Sequence, residues 1–436
     1  MNTIVDSPIK RINKNCLYIS LALASIEFIL FILIKFNVFE SMDFAIKKSL
    51  QPGYNNISTL KDISIPKILT IINYLNKIFV PYIIIIIVNN FSNIYYVFNL
   101  FNILSINCYI SCILKFIFYK IIKSDNEGII YYCGEGWNLP STEMMISVSF
   151  YMTLWNMFFD NKDHLSICKK VLKFTFLGLI IFYNILNLLC LTKIGYYLFS
   201  HLIFSAIFGV LIYIFIFKTN IIKKYKPKEF CIFLKKKFEF YSLINIFLLI
   251  VPFIPYIIER NITSYNPSKC NSVEGTFFYN NNSPYITYVD ETFNLISVFF
   301  ANFFVIGGIK CELGFFFGNN ILNFEQYHFG VNIDDLNDDR EYKNKSGTII
   351  VTRDTEWNNT SAILSIIRLI LTFLLSGVCF LPYVFVNNEA DFSTIFLVKH
   401  FLSYALFSFG ISFFFKIIFR IFKLSNEILR SIMENQ

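Results

Sequence analysis

The sequence predicts an all-α, polytopic membrane helix bundle of about 8–10 spans, on three observations. Hydrophobic residues make up 55% of the 436 positions and charged residues only 16%, more apolar surface than a soluble core can hide. Apolar runs near 20 residues, the length a membrane helix needs, recur along the chain. Lysine-rich connections recur between them, as positive-inside orientation requires. Phe, Ile, Lys, Asn and Tyr are abundant, the mark of an A/T-rich coding bias, so neither the Phe nor the Lys content carries functional weight by itself. The net charge of +8 is the charge of loops that orient spans, and no nucleic-acid partner is expected. The cysteines form no CxxC pair and have no His neighbours at metal-ligand spacing, so neither a metal site nor a cofactor is expected. Cys133 and Cys270 fall in loops assigned to one side, where a disulfide is one option.

The runs lie near residues 17–35, 77–95, 98–121, 143–160, 171–191, 195–217, 240–258, 292–317, 362–386 and 393–417. The first follows a polar, basic stretch rather than a short apolar segment with a cleavage site, which reads as an uncleaved anchor. This divides the chain into a six-span unit over 1–217, a basic loop over 218–239, and C-terminal spans over 240–436 that carry an acidic loop at 319–361.

Orientation follows from the loops. Lys162, Lys169, Lys170 and Lys173 flank one connection and Lys218 to Lys237 crowd another, so both are expected on the cytosolic side. Counting spans puts Lys10, Arg11 and Lys14 there, together with Arg420, Lys423 and Arg430. The acidic loop with Asp334, Asp335, Asp338, Asp339 and Glu341 falls on the same side by this count and fits the rule less well, which points to a misplaced boundary near 292–317. The opposite, lumenal face receives Asn56 and Asn261, each opening a glycosylation sequon.

Ionisable residues near the membrane are costly and mark function or an interface. Three clusters are expected to meet on the lumenal face: Lys115, Lys120 and Lys123 ending the third span, Leu139-Pro140-Ser141-Thr142-Glu143-Met144-Met145 opening the fourth, and Leu191-Thr192-Lys193 followed by His201 opening the sixth. The Leu-Pro-Ser-Thr-Glu-Met-Met segment resembles the Met-Pro-Ser-Thr-His-Ala-Met segment of sphingosine-1-phosphate phosphatases, within the phosphatidic acid phosphatase type 2 and glucose-6-phosphatase superfamily. Thr192-Lys193-Ile194, His201, Ser205 and Gly209 resemble that family's Ser-Arg, His, Asp and Gly, with the His-to-Gly spacing kept. Asp290-Glu291-Thr292-Phe293 leading to Gly307-Gly308, and Leu381-Pro382-Tyr383, are similar to its later segments in the same order.

The resemblance implies hydrolysis of a lipid phosphomonoester without metal. His201 would be the nucleophile and Glu143 the acid. Ser141, Thr142, Lys115, Lys123 and Lys193 would hold phosphate. The chemistry suits those types, because a neutral imidazole attacks phosphorus, a proton donor faces the leaving oxygen, and cations with helix-start amides stabilise spread negative charge. The chain departs from the pattern at several places. Glu143 stands where the family has His, and a carboxylate repels phosphate unless protonated. Ser205 replaces the Asp that would orient the imidazole. Lysines replace arginines and lose the bidentate grip. Two residues are inserted between Lys193 and His201, which on a continuous helix turns their relation by about 200°, so an unwound start to the sixth span is required.

Simpler readings stand beside these. Glu143 can be a helix-start acid behind a Pro-Ser-Thr cap, and His201 a packed interhelical residue. Three functions remain open: a lipid phosphate phosphatase acting on a sphingoid-base phosphate or related monoester, an inactive member of the same fold that binds a lipid or protein partner, and a transporter or channel, for which Lys310 and Glu312 between glycines are the best argument. Membrane lipids are the expected surroundings, and the family suggests the endoplasmic reticulum or another internal membrane.

Overall fold

Backbone amides and carbonyls have no water to bond in a bilayer, so an apolar run of 20 residues satisfies them internally by coiling into a helix. The computed structural model describes residues 14–50, 79–91, 94–121, 139–159, 167–194, 197–218, 234, 237–251, 284–320, 324, 362–386, 395–422 and 424, and among these there is no strand. The helices are α1 (Lys14–Lys35), α2 (Glu40–Leu50), α3 (Phe79–Phe91), α4 (Ile94–Ile121), α5 (Thr142–Phe159), α6 (Ile167–Ile194), α7 (Phe199–Tyr213), α8 (Phe238–Ile250), α9 (Pro284–Phe317), α10 (Ala362–Cys379) and the short α11 (Leu381–Phe385). The last rod, α12, spans 395–421 and alternates wide π turns at Ile395–Leu402 and Gly410–Phe414 with α turns at Ser403–Phe409 and Phe415–Ile421.

Six helices among the described residues are long and apolar enough to cross a membrane: Asn15–Lys35, Tyr96–Lys115, Lys170–Thr192, Phe199–Ile216, Asn294–Phe317 and Leu397–Ile421. The protein is therefore a multi-pass membrane protein with an all-α bundle. The described residues of the other four apolar runs are also largely helical, but α3, α8 and α10 carry shorter apolar stretches and α5 is more polar. Burial explains α5: Ser147, Ser149, Thr153 and Asn156 are all enclosed by neighbouring helices. Ser149 and Thr153 donate to the carbonyls of Met145 and Ser149, and Ser147 donates to Asn184 Oδ1 of α6 at 2.6 Å. A helix sheltered by protein need not be apolar all round.

The layering follows from exposure. Of α1 and α6 only 17% and 22% is buried, against 61% for α4 and α9, so the first pair faces lipid and the second forms the centre. Phe28, Phe174 and Phe182 point outward from the outer pair, as a lipid-facing surface allows. α4 packs along α9, α5 along α7, and α9 along α12. The largest buried apolar cluster runs unbroken from Tyr82 and Phe101 through Phe150 and Ile212 to Ile306 and Phe407.

Two glycines set the closest crossings. A Cβ on Gly209 of α7 would lie 2.8 Å from the Met145 carbonyl oxygen of α5, and one on Gly308 of α9 would lie within 3 Å of Ser412 Cβ on α12. Hydrogen makes both approaches possible, as small residues do at membrane helix interfaces.

The boundary expected near 292–317 moves. α9 begins at Pro284, so Asp290, Glu291 and Thr292 belong to its helical backbone rather than to a loop reaching 290, and it ends at Phe317. Lys310 and Glu312 therefore lie inside a continuous helix. Glu312 is 1% exposed and accepts from Lys416 Nζ of α12 at 2.8 and 2.7 Å, while Lys310 Nζ stands 4.2 Å from the Phe238 ring centroid. Asn56, Asn261, Cys133, Cys270 and the loop 325–361 lie outside the described residues.

Candidate functional site

The second half of α4, the start of α5, the Tyr197 connection and the start of α7 are joined by short polar contacts. Ser111 of α4 and Thr142 of α5 share a hydrogen bond of 2.6 Å. Lys115, one turn beyond Ser111 and so on the same face, is buried. The backbone N–H of Ser141 donates to Ser205 Oγ of α7 at 2.7 Å, and Tyr197 Oη donates to Glu143 Oε2 at 2.6 Å. These contacts bring together the Ser141–Glu143 segment, Lys115 and the His201 helix. Lys123 and the side chain of Lys193 lie outside the described residues.

Ser141 is a helix N-cap. Its Oγ accepts from the Met144 N–H at 3.3 Å and donates to Glu143 Oε2 at 3.4 Å, so Glu143 sits in the first turn, where the partial positive end of the helix favours a carboxylate. The peptide between Leu139 and Pro140 is cis.

The chain is unwound before the His201 helix: α6 ends at Ile194, Tyr197 and Leu198 are non-helical, and α7 begins at Phe199. Lys193 and His201 are therefore on separate helices, and the 200° argument does not apply to them. His201 occupies the first turn of α7, on the face it shares with Ser205 and Phe208 by spacing. Its Nδ1 is buried with no partner among the described residues. The Ser205 hydroxyl does not orient it, because that group donates to the His201 carbonyl at 2.7 Å and accepts the Ser141 N–H.

Asp43 of α2 was not marked by any motif. Leu198 supplies no side-chain cap to α7; instead Asp43 Oδ1 accepts the Ser200 N–H at 2.9 Å and Oδ2 accepts the Ser200 hydroxyl at 2.6 Å. An anion from the chain itself thus occupies the position where a helix start binds an external one. Burial pushes the Asp43 carboxyl above the usual range, opposed by the two Ser200 hydrogen bonds.

A cavity of about 530 Å³ opens beside Glu143 and Thr142. Its walls come from α3, α9, α10, α11 and α12, with Tyr82, Phe380, Tyr383, Tyr404 and Phe407 among them. The rings pack edge to face or tilted, with centroids 5.1 Å apart for Tyr82 and Phe407 and 5.4 Å for Phe380 and Tyr404. Tyr404 Oη donates to Asn294 Oδ1, whereas the buried Tyr82 hydroxyl has no partner among the described residues. Glu143 lines this space and His201 does not.

No known family model, curated protein or solved structure matches this chain.

The sequence signal for the cavity was weak, because its aromatic residues are spread over 82–407 in a chain rich in Phe and Tyr. Among the described residues, the convergent ends combine two carboxylates, Asp43 and Glu143, with the buried Lys115, and the backbone groups of the α5 and α7 starts are already partly satisfied.

Proposed function

We propose that this protein is a phosphatase-like membrane bundle that holds a lipid-like amphiphile in the cavity beside Glu143 without hydrolysing phosphomonoesters. The commitment of Ser205 to two backbone groups carries this conclusion. A nucleophilic imidazole needs a partner that fixes its tautomer and stabilises the imidazolium, and the only side chain at the motif position is engaged elsewhere. The α5 N-cap and the Asp43 carboxylate on α7 act in the same direction, because they take helix-start donors that phosphate would use. By family resemblance, the compartment is the endoplasmic reticulum or another internal membrane, with the convergent face lumenal.

A second reading, metal-independent hydrolysis of a sphingoid-base phosphate or related monoester through His201, draws support from the unpartnered Nδ1 at the junction of the motif helices. Phosphate release from several lipid phosphates by detergent-purified protein in chelator separates the two. The expected result is no release above the His201→Ala background. Release that disappears in His201→Ala would overturn the non-catalytic reading, and its fate in Glu143→Gln would test the acid.

A further inference from the structure

The chemistry of the cavity walls selects among amphiphiles. Two properties decide it: the charge at the polar end and the volume. Glu143 brings a carboxylate to the edge of a space otherwise walled mainly by aromatic and aliphatic side chains. Aromatic faces are negative and attract ammonium groups. Tyr383 already accepts one from the protein, with Lys399 Nζ 5.3 Å from its ring centroid, although Lys399 does not line the cavity. The unpartnered Tyr82 hydroxyl and the Asn294 side chain add neutral polar groups. Among the described residues a phosphate head would meet Glu143 without a lining cation, whereas an ammonium would meet a carboxylate and several rings.

At roughly 30 Å³ for a water-sized group, about 530 Å³ holds on the order of eighteen such groups, one long alkyl chain and a small head rather than two chains. We propose that the cavity binds a single-chain cationic amphiphile, its ammonium group at Glu143 and its chain along Tyr82, Phe380 and Phe407. This rests on the amphiphile-binding reading above and adds the ligand class.

The test is titration of the full-length protein in detergent with octadecylamine, octadecanol and octadecyl phosphate, followed by native mass spectrometry. The amine is protonated at neutral pH, as lysine is. Two variants serve as controls. Gly377 lines the cavity and a Cβ added there meets no atom within 4 Å, so a bulky side chain in Gly377→Phe starts from open space at the cavity wall rather than from a packed contact. Glu143→Gln keeps a hydrogen-bonding side chain for Tyr197 and removes the charge. The expected result is an amine affinity about tenfold above that of the alcohol. That gap closes in Glu143→Gln, and Gly377→Phe loses all binding while keeping wild-type thermal stability. Equal binding of amine and alcohol, both lost in Gly377→Phe, overturns the cationic class and leaves the amphiphile reading standing. Tightest binding of the phosphate, lost in Gly377→Phe, overturns the class in favour of an anion. Binding that survives Gly377→Phe overturns both.

Discussion

Replacing Lys416 by Met removes the ammonium that pairs with the Glu312 carboxylate inside the bundle. The pair is bidentate at 2.7 and 2.8 Å, and the two side chains are 11% and 1% exposed, so bulk water screens neither well. At an effective dielectric of about 20, unit charges about 4 Å apart attract by about 4 kcal/mol. Both ions were also taken out of water, so the intact pair contributes little net stability. Breaking it takes the ammonium away from a buried carboxylate, and the expected cost is about 3–5 kcal/mol. Arg420, one turn further along α12 with its guanidinium 4.1 Å from the Phe316 ring centroid, is the cation that can swing toward Glu312 and keep the loss near the lower figure. Adding Glu312→Leu to Lys416→Met removes the carboxylate as well and restores most of the stability. Equilibrium unfolding in mixed micelles, run as a double-mutant cycle, measures the coupling. A loss below about 1 kcal/mol in Lys416→Met, or a double variant whose loss is the sum of the two single ones, would refute the assignment of a buried ion pair.

Two further outcomes follow from packing and charge. Gly209→Ala forces a Cβ against the Met145 carbonyl, so it is expected to cost about 1–3 kcal/mol, whereas Gly178→Ala, with open space around it on α6, is expected to be neutral or slightly stabilising; thermal unfolding of the two variants checks the contrast. The Asp43 carboxyl is raised in the folded protein, so the native state binds its proton more tightly than the unfolded chain does. That contribution is fully present below the ordinary aspartate range and is lost as pH rises through the folded value. Melting temperatures of wild type and Asp43→Asn from acidic to neutral pH are expected to shift in favour of the wild type on the acid side, and a pH-independent difference would contradict the burial of this group.

The membrane class was legible because twenty-residue apolar runs have few other uses, and the described residues of every such run lie largely within a helix. Element character was less legible. α5 carries Ser147, Ser149, Thr153 and Asn156 and reads as a span only because its neighbours shelter them, a fact of packing rather than of composition. The junction of Ser141, Glu143 and the His201 helix could be expected from alternating span direction. Its bonding could not: Asp43 meets Ser200 across 157 positions and Tyr197 meets Glu143 across 54. No local pattern marks such pairs. A break before α7 was expected only on the strength of the resemblance, and the contacts that accompany it, such as Asp43 on Ser200, are not encoded by spacing.

The π turns of α12 bear on how its sequence can change. A wide turn absorbs one extra residue so that the helix beyond it keeps its phase, whereas an extra residue in an α turn rotates everything beyond it by about 100°. The turn at Gly410–Phe414 lies between Tyr404 and Phe407, which face the cavity, and Lys416, which faces Glu312. Deleting one residue there would turn it into an ordinary α turn and leave Lys416 near its acid, whereas deleting one from the α turns at Ser403–Phe409 would swing Lys416 away from Glu312 by about 100°. Substitutions along this rod are thus tolerated far more readily than insertions or deletions in its α turns, and the length of those turns in residues is as constrained as the identity of any side chain they carry.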